Sequence, residues 1–158
     1  MSSKKNKILF VCQGNICRSP SAEAVFNGLL KQQKLANDFE VDSAGTISYH
    51  NGEPADARMQ THANKRGYRL TSISRKVTPR DYETFDLLVA MDDENYHDLL
   101  RMASSENHEK KVVKITDYCT KFDYSEVPDP YYGGSAGFEL VLDLLEDACN
   151  GLLKSIHV

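Results

Sequence analysis

Apolar residues in this chain form short unbroken runs, separated by longer stretches where they recur every three or four positions. Ile8, Leu9, Phe10 and Val11 follow one another without a polar break, the pattern of a strand covered on both faces of a parallel sheet. This predicts a first strand over 7–12. Over 20–33 the period lengthens, and Ala24, Phe26, Leu29 and Leu30 can line the buried stripe of a helix. A second strand is expected near 39–43, then a long loop rich in Gly, Ser and Asn. A second helix is expected over 55–66, with Gly67 placed to end it. Thr78, Pro79 and Asp81 read as an N-cap, a first-turn proline and an early acid, so a short helix starts there. Residues 87–90 are the third buried strand, a helix runs through 93–103, and 111–115 is a fourth strand. The final helix is expected over 136–156, with Phe138, Val141, Leu142, Leu145 and Leu152 inward.

Strands separated by helices predict an α/β fold around a central parallel sheet. Ligands in such folds sit beyond the carboxyl ends of the strands, at a topological switch point. Cys12 ends the first strand and Asp92 follows the third, so both should face one crevice. No repeat, low-complexity tract or linker divides the 158 residues, so 1–158 is read as a single domain.

Composition narrows the function. A net charge of −4, with no basic run longer than two residues, argues against a nucleic-acid partner. No apolar stretch approaches the ~18 residues of a membrane span, and the N-terminus lacks the apolar region of a signal peptide. A cytoplasmic protein without a membrane partner is expected. Four cysteines (12, 17, 119 and 149) then suggest reactive or structural thiols rather than a disulfide framework. No paired Cys or His spacing anchors a metal, so none is expected.

The chemistry concentrates in the stretch after the first strand, Cys12-Gln13-Gly14-Asn15-Ile16-Cys17-Arg18-Ser19-Pro20. Five residues between Cys12 and Arg18 can wrap one loop around a tetrahedral oxyanion. Ser19 reads as the N-cap and Pro20 as the first position of the following helix. Such a loop points free N–H groups at an anion, and the helix dipole adds positive potential. Cation, dipole and N–H donors together favour the thiolate of Cys12. Arg18 offers a planar fork for two phosphate oxygens, and Gln13, Gly14, Asn15, Ile16 and Cys17 complete the phosphate cradle. Gly14 and Asn15 are the residue types that tolerate a left-handed backbone. Cys17 is either a small side chain that fits the loop or a disulfide partner that protects Cys12 from oxidation.

The chain resembles the low-molecular-weight protein tyrosine phosphatases. The resemblance rests on V-C-Q-G-N-I-C-R-S-P-S-A-E-A at 11–24, D-S-A-G-T at 42–46, T-F-D-L-L-V-A-M-D at 84–92 and D-P-Y-Y-G at 129–133, in the family's order. It implies a four-stranded sheet in the order 2-1-3-4 and a cofactor-free phosphatase acting on tyrosine-phosphorylated proteins or peptides, with inorganic phosphate as product. Cys12 would be the nucleophile that takes the phosphoryl group. A phenolate leaves poorly without a proton, and the resemblance makes Asp129, stiffened between Pro128 and Pro130, the general acid. It also implies that Ser19 bonds the thiolate and that Ser43 bonds Asn15. Many relatives carry a histidine where this chain has Ser72, so the support of Asn15 should differ here. Asp92 either orients Arg18 or caps a helix. Tyr49, Tyr131 and Tyr132 are candidates for walls that stack on a substrate ring, Tyr132 being the one most easily read as structural.

Two relatives of the same fold compete. An arsenate reductase needs further reactive cysteines after the third strand, and 91–99 contains none. Phosphoarginine phosphatases tend to place threonine at the position of Ile16 and to lack the paired tyrosines, so Ile16 and Tyr131-Tyr132 favour an aryl phosphate.

Overall fold

The computed structural model describes residues 5–130 and 134–156. Four parallel strands, β1 (Asn6–Cys12), β2 (Phe39–Gly45), β3 (Leu87–Ala90) and β4 (Val112–Lys114), form one sheet in the order β2-β1-β3-β4. The expected order is therefore observed. β1 is central: Phe10 pairs with Ser43 on one side and Val89 on the other. The chain leaves β1 towards β2 in one direction and reaches β3 in the other, so the end of β1 is the switch point of the sheet.

The period of two along β1 divides the core into two layers. Ile8, Phe10 and Cys12 face one cluster with α1 (Arg18–Gln32), α2 (Ala57–Lys65) and α6 (Ser135–Ile156). Leu9 and Val11 face the other, with Tyr82 of α3 (Pro79–Thr84) and Leu99 of α4 (Asp93–Met102). Burial on both faces is what the unbroken apolar run of β1 requires. In α1, Phe26 and Leu30 are buried while Ala24 and Leu29 pack at the edge of the core. In α6 all five expected inward residues are buried.

Two local differences from the sequence reading have simple causes. The fourth strand stops at Lys114, because β3 offers it only Leu88, Val89 and Ala90 as partners. Ile115–Tyr118 then turns as a 3-10 helix. A one-turn helix α5 (Glu106–Glu109), capped by Ser105, was not expected, since four residues carry no apolar period.

The segment after β4 is gripped by α6. A Cβ on Gly151 would lie 1.9 Å from the Tyr118 carbonyl oxygen, so only glycine lets the turn pack against the helix. Asp147 is 6% exposed and accepts hydrogen bonds from the backbone N–H groups of Thr120, Lys121 and Phe122. Burial alone would raise its pKa, but those N–H donors outweigh it and hold the carboxyl below its ordinary 3.8. Asp147→Ala should therefore cost about 2–3 kcal/mol at neutral pH by leaving buried donors unpaired. A depressed folded pKa stabilises above the unfolded value and loses that contribution as pH falls through the folded one. Urea denaturation should show the gap between wild type and variant closing progressively as pH is lowered below 3.8.

Candidate active site

Cys12 is the last residue of β1 and Arg18 the first of α1, so the loop between them spans the switch point. Its carbonyl groups are tied outwards. The Cys12 carbonyl accepts from Thr46 N–H, Gln13 from Ile47 N–H, Ile16 from Asp56 N–H and Cys17 from Ser21 N–H. The Gly14 carbonyl accepts from Ser74 Oγ at 2.9 Å. In a planar trans peptide the N–H points opposite to the carbonyl, so these bonds turn the loop's N–H groups inwards. The Asn15 N–H is the visible case, 3.3 Å from Cys12 Sγ. The result is a concave nest of donors around a sulfur at the N-terminus of a helix, suited to a tetrahedral anion.

Asn15 makes the reversal possible. Its φ is +57°, and its side chain is bonded at both ends: Nδ2 donates to Ser19 Oγ at 2.8 Å, and Oδ1 accepts from Arg75 N–H at 3.1 Å. Gly14 lies outside the left-handed region; its missing side chain serves close approach instead, since a Cβ there would stand 3.0 Å from the His50 ring. Gly45 has a similar role, because a Cβ there would meet the Gln13 carbonyl oxygen at 2.6 Å.

Two expectations about support are corrected. Ser19 does not cap α1, which starts a residue earlier with Cys17 at the N-cap and no side-chain cap bond. Ser19 Oγ instead sits 3.1 Å from Cys12 Sγ, as the resemblance implied; Asn15 donates to it, and its own proton is shared between the sulfur and the Ala44 carbonyl at 3.4 Å. Ser43 does not reach Asn15: its hydroxyl donates to Glu23 Oε1 at 2.7 Å. Ser72 does not take over either, and its buried Oγ has no hydrogen-bond partner. Asn15 is held by the Arg75 backbone, whose guanidinium bridges Asp42 and Asp81. Ser74 and Arg75 are thus supports that the sequence reading missed. They lie in an ordinary polar stretch, and only tertiary contact brings them to the loop.

Arg18 is 3% exposed. Its NH1 donates to Asp92 Oδ2 at 2.6 Å and to the Val127 carbonyl at 3.0 Å, and its NH2 lies 3.7 Å from Asp129 Oδ2. Burial works against the charge, but Cys12, Asp92 and Asp129 outweigh it and hold the pKa above its ordinary value. Asp92 fills both roles considered for it, since Oδ1 also accepts the Asn95 N–H as the cap of α4. Burial, with Asp56 and Cys12 adding to it, pushes the Cys17 thiol far above its ordinary range, so it stays protonated while all four cysteines are free thiols.

Cys12, Gln13, Gly14, Ile16, Cys17, Arg18 and Asp129 share a cavity of about 300 Å³, walled on one side by Ile47, Tyr49 and His50. Tyr49 is 80% exposed and stands edge-on to the His50 ring, which is paired with Glu53. Tyr131 and Tyr132 lie outside the described residues. Among those described, no group of His, Cys, Asp and Glu side chains could hold a metal ion.

The sequence profile of the low molecular weight phosphotyrosine protein phosphatases matches residues 7–158. The chain belongs to this family. Its phosphatase relatives include a Gallus gallus low molecular weight phosphotyrosine protein phosphatase, 39% identical over 95% of each chain. The crystal structure of an Entamoeba histolytica protein tyrosine phosphatase superposes with a TM-score of 0.94, at 48% identity over 96% of this chain and 97% of that one. A Drosophila arginine phosphatase shares the fold, with a TM-score of 0.90 at 31% identity, over 96% of this chain and 98% of its own.

The loop of this family member can be tested without turnover. Asn15→Ala should lower stability by about 2–3 kcal/mol, since it combines a left-handed backbone with two lost hydrogen bonds. Asn15→Gly, which tolerates the φ, should recover part of that loss in urea denaturation.

Proposed function

We propose that the protein hydrolyses phosphotyrosine and small aryl phosphates through a cysteinyl-phosphate intermediate. The observation that carries this reading is the meeting of Cys12, Arg18 and Asp129 in one cavity, with the guanidinium buried and hydrogen-bonded through NH1. Asp92 and the Val127 carbonyl occupy NH1; Nε, with NH2 turned from its 3.7 Å approach to Asp129, would grip two phosphoryl oxygens in a fork. The loop N–H groups and Arg18 then stabilise charge that develops on the equatorial oxygens during transfer.

In the first step the Cys12 sulfur forms a bond to phosphorus as the phosphorus–oxygen bond of the ester breaks. Ser19 and the Asn15 N–H hold the sulfur in place. Asp129, at the cavity mouth, gives its proton to the departing phenolate. In the second step the same carboxylate takes a proton from water, whose oxygen displaces the sulfur and releases inorganic phosphate. Asp92 is unsuited to either task, since both its oxygens are engaged with Arg18 and Asn95.

Ile16, Ile47 and Tyr49 give the walls an apolar and aromatic character, which supports a flat aryl group over a guanidino phosphate. Tyr131 and Tyr132 are proposed as further walls on the strength of the resemblance. Tyrosine-phosphorylated proteins or peptides are the substrates this reading calls for. We further propose that one domain spanning 1–158 acts in the cytoplasm; among the described residues no helix is long and apolar enough to cross a membrane.

Pre-steady-state kinetics test the mechanism. Cys12→Ser should abolish turnover of a phosphotyrosine peptide while retaining phosphate binding; appreciable turnover would remove the covalent route. Asp129→Asn should slow phosphotyrosine by ~10²–10⁴-fold, and much less for an aryl ester whose phenol is already acidic. The first-step rate should depend weakly on leaving-group pKa in the parent and steeply in Asp129→Asn. Equal slopes would acquit Asp129. A faster rate with phosphoarginine than with phosphotyrosine peptides would move the substrate class.

A further inference from the structure

The stretch that carries Asp129 has little core to rest on. Within 124–129 only Val127 is buried, and the whole stretch, with Asp92, lines a cavity of about 340 Å³. Packing therefore fixes one residue, and hydrogen bonds must place the others. The Ser125 carbonyl accepts from Thr116 Oγ1 at 2.9 Å, and Val127 N–H donates to the Met91 carbonyl at 2.8 Å. The Val127 carbonyl accepts from Arg18. A further bond comes from a side chain: Glu126 Oε2 accepts the Asp93 N–H at 2.8 Å. That N–H belongs to the first residue of α4, where the opening N–H groups have no partner inside the helix.

We propose that Glu126 is a positioning residue for Asp129, an inference that rests on the phosphatase reading. By gripping the Asp93 N–H, its carboxylate keeps the Asp129 carboxyl at the mouth of the Cys12 cavity. Thr116 and Met91 tie this stretch to the ends of β4 and β3, and Glu126 adds the tie to α4. Asp93 is a firm anchor, because its own carboxylate takes Lys114 Nζ at 2.6 Å and Asp92 before it holds Arg18. The Asp92–Asp93 peptide thus serves both the cation that grips the phosphoryl group and the acid that must meet the leaving oxygen. From Glu126 the setting passes to Asp129 through stiff backbone. Pro128 has a fixed φ and restricts Val127, and the buried Pro130 restricts Asp129 in the same way.

The tie requires an acceptor at the right reach and no charge. Glu126→Gln keeps an oxygen at that reach and should keep the tie, whereas Glu126→Ala removes it. A reacting group misplaced by about 1 Å can lose on the order of 10²-fold in rate. The loss falls on the step that needs the Asp129 proton, so Glu126→Ala should slow phosphoryl transfer from phosphotyrosine by ~10–10²-fold. An aryl ester whose phenol is already acidic should hardly be affected in that step.

Burst kinetics of the intact chain over a series of aryl phosphates test this. The dependence of the first-step rate on leaving-group pKa should be steeper in Glu126→Ala than in the parent and unchanged in Glu126→Gln. Adding Glu126→Ala to Asp129→Asn should cost little more, since residues that act through one group are not additive. Inhibition by inorganic phosphate and alkylation of Cys12 by iodoacetate should stay as in the parent, which a general loss of structure would not allow. Amide hydrogen exchange, which needs no turnover, should show the Asp93 N–H less protected in Glu126→Ala and protected as in the parent in Glu126→Gln. A parent-like slope in Glu126→Ala, equal losses in the two single variants, a fully additive double variant or unchanged exchange at Asp93 would each overturn the proposal. The absence of a burst in the parent is a distinct result, which would remove the phosphatase reading and this role with it.

Discussion

Convergence of backbone N–H groups on one point requires their carbonyls to diverge, and every carbonyl turned outwards near a core needs a donor. The loop from Cys12 to Arg18 meets this demand with partners drawn from three other places in the chain. Thr46 and Ile47 come from the end of β2, Asp56 from the start of α2, and Ser74 from the segment before α3. The anion site is thus a consequence of where carbonyl groups find donors. Its donors were turned inwards before any ligand arrives, which is the condition for electrostatic stabilisation without reorganisation.

The second demand is to keep a guanidinium charged at 3% exposure. A buried charge without a partner is expensive, and its usual escape is to lose or gain a proton. Arginine resists that route, and Asp92 and the Val127 carbonyl satisfy one edge of it. This arrangement links three strand ends: Arg18 follows β1, Asp92 follows β3, and Val127 lies in the loop beyond β4. The same loop carries Asp129, and its start is fastened to α6 through Asp147 and Gly151. The long C-terminal helix therefore takes part in placing the carboxylate at the cavity mouth, though none of its residues lines the cavity.

Behind the loop, Arg75 joins two kinds of support. Its backbone N–H holds Asn15, while its guanidinium bridges Asp42 on β2 and Asp81 at the capping box of α3. Ser43 and Glu23 pair beside this network instead of joining the loop itself. Ser72 is left with an unpartnered hydroxyl. The loop keeps its shape because the Arg75 backbone N–H holds Asn15 and the Ser74 hydroxyl holds the Gly14 carbonyl.

Much was legible in the sequence because it depends on local pattern. Four buried runs, the helical periods between them and the loop from Cys12 to Arg18 all follow from residue type and spacing, and short-range sterics turn them into strands, helices and a reversal at Asn15. The family's motifs added the sheet order and the bond from Ser19 to the sulfur. Tertiary structure alone decided which donors serve the loop carbonyls, that Ser19 lies inside α1 rather than capping it, and that Ser43 turns to Glu23. It also decided that Asp92 both caps α4 and anchors Arg18. These choices depend on side chains separated by up to 109 residues along the chain, as Arg18 and Val127 are. A hydrogen bond forms with whichever partner packing brings within about 3 Å, and no periodicity along the sequence carries that distance.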